Sequence, residues 1–405
     1  MQEVIDAVLR KLSRLCPQTP FAAGFWDGSI NHYGDGDEAF KIVFRSEAAA
    51  KKILTGGSLV FGEEYVAGNI DVAGDLQAML GMYDCWQGLN KSISLPVKVK
   101  ILWNRAFSRQ TLAGSKKNVR RHYDIGNDFY SLWLDPLLTY SCAYFKNGND
   151  DLEIAQNNKY DHICRKLRLK KGESLADIGC GWGQMMFYAA KNYGAVCTGY
   201  TLSENQHDYI LEKIKKEGLE GKVSVCLQDY RKAKGSFDKF VSIGMFEHVG
   251  KRYQNKFFST VKKIIKPGGI GLLHTIGKKD ARPTDPWISR YIFPGGYIPS
   301  LAQIAAGMAD AGLIYYDIED LRLHYVKTLD FWIANFEENI SEIEKIMVLR
   351  SRDERRARQF TRMWRLYLNA SAVSFKNAGN RLYQILFTNG ANNDLPLTRD
   401  YIYSI

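Results

Sequence analysis

The stretch ADIGCGWGQ, residues 176–184, sets three glycines and a tryptophan directly behind an acidic residue. ESLADIG before it reads as a strand and GQMMFYAAKNY after it as a helix, so Asp177 to Gly183 is the turn between them. Glycines at such a turn let the backbone come close to a ligand. The surrounding chain repeats the alternation. AVCTGYT, KVSVCLQ, FDKFVSIG and GGIGLLHTI read as strands, while SENQHDYILEKIKKEG and KRYQNKFFSTVKKIIK read as helices. Strands and helices alternating over short connections build a parallel sheet covered on both faces, an α/β doubly wound fold. Later strands are expected at LIYYDIEDL and RLYQILFT, with helices over 327–347 and 352–376 between them. Residues 278–313 read as a Pro- and Gly-rich interruption. In such a sheet, ligands sit at the carboxyl ends of the strands, where the glycine turn lies.

At 405 residues the chain is long enough for two or three domains, and 45% apolar residues allow a sizeable core. The net charge of +11 points to an anionic partner without choosing among nucleic acid, a membrane surface and an acidic ligand. Seven cysteines with no Cys-x-x-Cys pair argue against a disulfide framework and a structural zinc site. No metal is expected, and reduced thiols point to a cytoplasmic protein. MQEVIDAVLRKLSRL reads as an amphipathic helix rather than a signal peptide, and no run approaches the ~20 apolar residues of a membrane span. FWDGSINHYGDGDEAFKIVF reads as hairpin material, and GEEYVAGNIDVAGDLQAMLGMYDCW as helical. Between Gln87 and Tyr123 there is no acidic residue, while basic residues alternate with Ile101, Leu102, Trp103 and Phe107. That run is either a solvated linker or a surface for acidic lipid head groups, where aromatic side chains dip into the interface.

Two ligands compete for the glycine turn. A dinucleotide fingerprint reads G-x-G-x-x-G, whereas here the spacing is G-x-G-x-G behind Asp177. Asp-x-Gly-x-Gly-x-Gly resembles motif I of the S-adenosylmethionine-dependent methyltransferases. The resemblance sharpens over HYDIGNDFYSLWLDPLLTYSCAYF (122–145), DIGCGWG, TLSENQ, QDYR, GMFEHVG (244–250), LLHTIG (272–277) and YIFPGGYIPS (291–300), which occur in that order. Together they look like the cyclopropane-fatty-acyl-phospholipid synthases. The match runs from about 116 to 390, and Ala176 is a small departure where Leu or Val is usual.

The resemblance implies a Rossmann-like class I methyltransferase with a seven-stranded, mostly parallel sheet and helical insertions over residues 116–405. Residues 1–115 would form a smaller accessory, lipid-docking domain with the basic linker. The implied reaction adds the methyl carbon of S-adenosylmethionine across a cis double bond of a phospholipid acyl chain, through a carbocation deprotonated by bound bicarbonate. Asp177, Gly179 and Gly181 would meet the amino-acid part of the cofactor, with Tyr140 and Ser141 at its carboxylate. Thr201 and Gln206 would meet the ribose, and Gln228, Asp229 and Tyr230 the adenine. Cys142, Glu247, His274, Ile276 and Tyr325 would cradle bicarbonate, Cys142 and Ile276 through backbone N–H groups. His122 would contact the cofactor or orient the entry loop, and His248 would be structural. The partners implied are a membrane phospholipid, anionic by the charge, and a second copy in a homodimer. The enzyme would then be cytoplasmic and peripheral to the inner membrane face.

Two other readings stay open. An enzyme of this fold can stop after methyl transfer, giving a methyl-branched chain, or methylate an amine. A basic chain can also bind nucleic acid, but no RNA-binding module is recognisable and no nucleic-acid partner is expected. The basic run generates a first prediction. Replacing Lys116, Lys117, Arg120 and Arg121 by Gln should weaken co-sedimentation with anionic vesicles, chiefly at low salt, because exposed charges are screened over about 8–10 Å at physiological ionic strength. Unchanged binding and salt dependence would make the run a linker only.

Overall fold

A computed structural model of the chain describes residues 1–89, 125–280, 283–377 and 379–403. The basic run from Lys91 to Arg121 and His122 lie outside them. The chain forms two compact units. One holds the N-terminal residues together with Asp285–Pro294 and Ile333–Asn377; the other holds the described residues between 125 and Thr284, Gly295–Trp332 and 379–403. A single cut near residue 115 therefore does not divide them, because two later segments return to the N-terminal unit.

The N-terminal unit carries a four-stranded sheet: β1 (Phe21–Gly24), β2 (Ile30–Tyr33), β3 (Phe40–Phe44) and β4 (Ile70–Gly74), in the order β2-β1-β3-β4. β1 and β2 form the expected hairpin, but β3 runs parallel to β1. β4 corrects the expectation of continuous helix after Gly62. Ile70 and Val72 alternate with polar Asp71, and the strand pairs antiparallel with β3. Residues 354–376 form one helix of this unit, and its Arg362 donates to the carbonyls of Tyr65 and Ile70 at 2.7 Å each and to Asp71 Oδ1 at 3.2 Å. Cys16 and Cys85 correct the expectation of uniformly reduced thiols: they are joined in a disulfide. The two helices that carry them bring positions 69 residues apart to a Cα separation of 6.5 Å, which spacing along the chain does not reveal.

The second unit holds a seven-stranded sheet: β5 (Ser174–Ile178), β6 (Val196–Thr201), β7 (Val223–Leu227), β8 (Phe237–Ile243), β9 (Ile265–Lys278), β10 (Leu313–Asp320) and β11 (Asn380–Asn389). Their order is β10-β11-β9-β8-β5-β6-β7. Every neighbouring pair from β9 to β7 is parallel, and β11 alone runs antiparallel to both its neighbours. The expected seven-stranded, mostly parallel, doubly wound sheet is present. β5 is buried from Leu175 to Ile178, as a central strand covered on both faces must be. The chain goes from β5 outward to β6 and β7, then returns to β8 on the other side of β5. That reversal opens a crevice at the carboxyl ends of β5 and β8.

Two corrections concern the insertions. The supposed interruption over 278–313 contains the helices Pro286–Tyr291 and Leu301–Asp310, the second opened by a reciprocal cap between Ser300 and Gln303. The helix expected over 327–347 is two helices, Arg322–Glu338 and Ile340–Ser351. No helix among the described residues is long and apolar enough to cross a membrane. Arg362 yields the second prediction. Arg362→Met should lower unfolding stability by about 2–4 kcal/mol in a denaturant titration, since two carbonyls and a carboxylate lose their donor. No change would mean that this arginine does not pin the 354–376 helix within its unit.

Candidate active site

The crevice at the switch point contains a cavity of about 150 Å³. All ten residues expected to hold a cofactor line it. At its centre is the turn after β5. Gly179 (φ +81°) and Gly181 (φ +55°) both occupy the left-handed region. A Cβ on Gly179 would lie 2.5 Å from Met245, so this glycine is required by packing against the residues after β8. A Cβ on Gly181 meets no heavy atom of the described residues within 4 Å, and Gly181 faces the cavity.

Asp177 ends β5 with only 2% of its surface exposed. Its Oδ1 is buried and has no hydrogen-bond partner among the described residues. Burial pushes its carboxyl up to about 7, opposed by the nearby charge of Lys159. An unpartnered buried carboxylate oxygen is costly and calls for a cation or donor from a ligand. After β6, Thr201 Oγ1 donates to Gln206 Oε1 at 2.8 Å, which fixes the Gln206 amide. After β7, both carboxylate oxygens of Asp229 accept from the Arg231 guanidinium, at 2.8 and 2.7 Å. Tyr230 shares this edge, and Gln228 donates to the carbonyl of Lys232. His248 also lines the cavity, and burial holds it down to about 4, so it is neutral.

Sequence reasoning missed Lys159, which lines the same cavity although its side chain is fully buried. It lies on the 152–166 helix among Gln156, Tyr160 and Ile163, all of them buried. A lysine on the buried stripe of a helix was the available signal. Burial pulls its ammonium down to about 7, against the charges of Asp135 and Asp177. Also missed was an aromatic tract. Tyr130, Trp133, Tyr140, Trp332 and Tyr325 form a chain of ring contacts with centroids 5.2–5.9 Å apart. Trp182 joins it at Tyr130, and its indole N–H donates to Asn127.

None of Cys142, Glu247, His274, Ile276 and Tyr325 lines the cavity. They are nevertheless linked to one another. The N–H of Ile276 donates to Glu247 Oε1 at 2.5 Å, so it is given to Glu247 rather than left facing an anion. Leu382 lies opposite Ile276 on β11, and its carbonyl accepts from the N–H of Leu321. The Leu321 carbonyl in turn accepts from the N–H of Tyr325 and lies 4.0 Å from Cys142 Sγ. The loop after Cys142 is tied to the same helix as Tyr325, through Ala143 N–H to Thr328 Oγ1 and Phe145 N–H to His324 Nδ1, both 3.0 Å. Glu247 Oε2 and His274 Nε2 are buried without hydrogen-bond partners among the described residues. Burial raises Glu247 to about 7 and pushes His274 well below its ordinary range, while it keeps the Cys142 thiol protonated. The Gln384 side-chain amide lies against His274, its nitrogen 3.3 Å from Nδ1.

The family described as mycolic acid cyclopropane synthetase matches residues 110–385. The chain belongs to that family. A domain of unknown function, DUF7884, matches residues 8–84. The chain is 38% identical over 352 residues to the cyclopropane-fatty-acyl-phospholipid synthase of Escherichia coli K12, covering 86% of this chain and 88% of the relative. It is 35% identical over 397 residues to a probable fatty acid methyltransferase of Pseudomonas putida, covering 95% and 96%. Among solved structures, the mycolic acid cyclopropane synthase CmaA1 complexed with SAH and CTAB is 31% identical with a TM-score of 0.62, covering 67% of this chain and 98% of that one. The chain is thus an enzyme of the cyclopropane synthase type with the class I methyltransferase fold, and the SAH complex supports S-adenosylmethionine as its cofactor.

The residues present fit that cofactor: an orphaned carboxylate for an ammonium group, and open space beside Gly181. Gly181→Val should therefore abolish SAH binding in calorimetry. The left-handed backbone adds about 1–2 kcal/mol of strain, so the variant should still fold. Undiminished affinity in a folded variant would remove the turn from the site.

Proposed function

We propose that this enzyme converts a cis double bond of a membrane phospholipid acyl chain to a cyclopropane ring, with bicarbonate as the base. The observation that carries the reading is the pair of buried, unpartnered atoms Glu247 Oε2 and His274 Nε2. One is a carboxylate oxygen poised near neutrality and the other a ring nitrogen of a neutral imidazole. Bicarbonate has a hydroxyl for the first and an oxygen for the second, so the donor set fits it. When bound, S-adenosylmethionine supplies the methyl carbon and bicarbonate takes the proton that leaves before the ring closes.

The chain's own residues do the rest. Asp177 and the Tyr140–Ser141 loop hold the amino-acid end of the cofactor. The amide NH2 of Gln206, whose oxygen is engaged by Thr201, donates to the ribose diol. Asp229 meets the adenine amino group with its remaining lone pairs, and Tyr230 offers a ring face. Together they orient the methyl group toward the alkene, a poor nucleophile that needs close alignment. The aromatic tract ending at Tyr325 excludes water and presents ring faces to positive charge on the acyl chain. Ile276 fixes one oxygen of Glu247 and leaves the other for the anion. Tyr325 donates its hydroxyl, and Cys142 its backbone N–H. The basic run docks the enzyme on anionic lipid from the cytoplasmic side, as a homodimer.

A second reading is methylation without ring closure, favoured by the relative named a probable fatty acid methyltransferase, which matches along 95% of the chain. Both products gain one CH2, so mass alone does not separate them. Loss of the double bond after incubation of phospholipid vesicles with S-adenosylmethionine supports cyclopropanation, and a retained double bond supports the second reading.

Glu247→Gln keeps the size of the side chain and removes its charge. Ring formation at saturating cofactor should fall about 10²–10⁴-fold, the usual contribution of general-base catalysis, while SAH affinity is unchanged. Wild-type turnover should drop in buffer stripped of carbon dioxide and recover with added bicarbonate. Full activity in bicarbonate-free buffer would sink the bicarbonate assignment and leave Glu247 itself as the base.

A further inference from the structure

The cavity has two buried ionisable poles. Asp177 is one, with an oxygen left unpartnered. Lys159 is the other, and its Nζ is fully directed. It donates to Ser141 Oγ and Gln156 Oε1 at 2.8 Å each and lies 4.3 Å above the ring centre of Tyr160. The same helix also grips the loop backbone. Gln156 Nε2 donates to the carbonyl of Ser141 at 2.9 Å, and the Tyr160 hydroxyl meets Thr139 Oγ1 at 2.9 Å. Asp135 completes the loop by accepting from the N–H groups of Leu137 and Thr139 and from Thr139 Oγ1.

This geometry has a consequence for Ser141. A hydroxyl that accepts from an ammonium keeps its own hydrogen free to donate, and the neighbouring positive charge strengthens that donation. Ser141 lines the cavity, and Lys159 stands directly behind it. A ligand that is anionic at this end and cationic at the Asp177 end neutralises both buried poles at once. The amino-acid part of S-adenosylmethionine is such a zwitterion.

We propose that Lys159 is the positioning residue for the cofactor's carboxylate, acting through Ser141. It orients and polarises the hydroxyl that receives the carboxylate, and adds positive charge at that end of the cavity, offset in part by the buried Asp135. The inference rests on the reading that the Tyr140–Ser141 loop meets the carboxylate end of the cofactor.

The test compares two ligands by calorimetry: SAH, and decarboxylated SAH, which keeps the ammonium group and lacks the carboxylate. Wild type should bind SAH more tightly than the decarboxylated ligand. Lys159→Met should lose SAH affinity by roughly 10–100-fold, the scale of a hydrogen bond carried by a charged group. It should bind decarboxylated SAH as wild type does. Ser141→Ala should show the same selective loss, and it carries the test alone if Lys159→Met does not fold. Equal losses for both ligands in Lys159→Met would make Lys159 a structural brace and overturn the proposal, as would unchanged SAH binding in either variant. If wild type does not distinguish the two ligands, the reading of the Tyr140–Ser141 loop has failed. If wild type distinguishes them and Lys159→Met keeps that preference, only the role of Lys159 has failed.

Discussion

The buried carboxylate of Asp177 is the constraint from which the rest of the site follows. It closes the central strand of a sheet covered on both faces, at the position where the strand order reverses. Water cannot reach its Oδ1, and no described residue donates to it. Such a group is a liability to the fold unless something arrives to pair with it. Of the glycines after it, Gly181 meets no described side chain, whereas Gly179 packs against Met245 after β8 and Gly183 against Ile210 and Phe187.

A second buried site repeats the logic with different chemistry. Glu247 lies in the short helix Phe246–His248 that follows β8, and His274 lies within β9, opposite Ile243 at the end of β8. Each keeps one polar atom unmatched. Ile276 and Gln384 stand against the other polar atoms of the two side chains. On the proposed reading, an occupant that both donates and accepts, a protonated oxyanion, meets such a pair better than chloride or a simple carboxylate does.

The alternation of strands and helices from 173 to 276 was legible because short, largely apolar runs recur between longer helical stretches and are bounded by turn residues. Ten cofactor positions could be named because they fall at the ends of consecutive parallel strands or on the loop that matches the family motif, and all ten line one cavity. What could not be read depends on partners distant in sequence. β4 is five residues inside an apparently helical stretch, and only pairing with β3 makes it a strand. The Cys16–Cys85 pairing and the return of 333–377 to the N-terminal unit are contacts between remote segments with no local signature. Lys159 was overlooked for a related reason. A lysine in NNKYDHICRK looks solvated until the neighbouring loop covers it.

Protonation state also decides what this site must not do. On the proposed reading, positive charge develops on an acyl chain, and any exposed lone pair nearby would trap it. Four side chains carry such lone pairs. Burial keeps Cys142 as a thiol, which is a far weaker nucleophile than a thiolate. Nδ1 of His274 is covered by the Gln384 amide. Lys159 gives its hydrogens to Ser141 and Gln156, two acceptors that favour the ammonium over the free amine. Glu247 is raised to about 7, so its carboxyl group spends part of its time protonated at neutral pH. Desolvation is usually counted as a cost of building an active site. Here burial quenches Cys142 and Glu247 by holding their protons on, whereas it pulls Lys159 down to about 7, and there the hydrogen bonds to Ser141 and Gln156 oppose that shift.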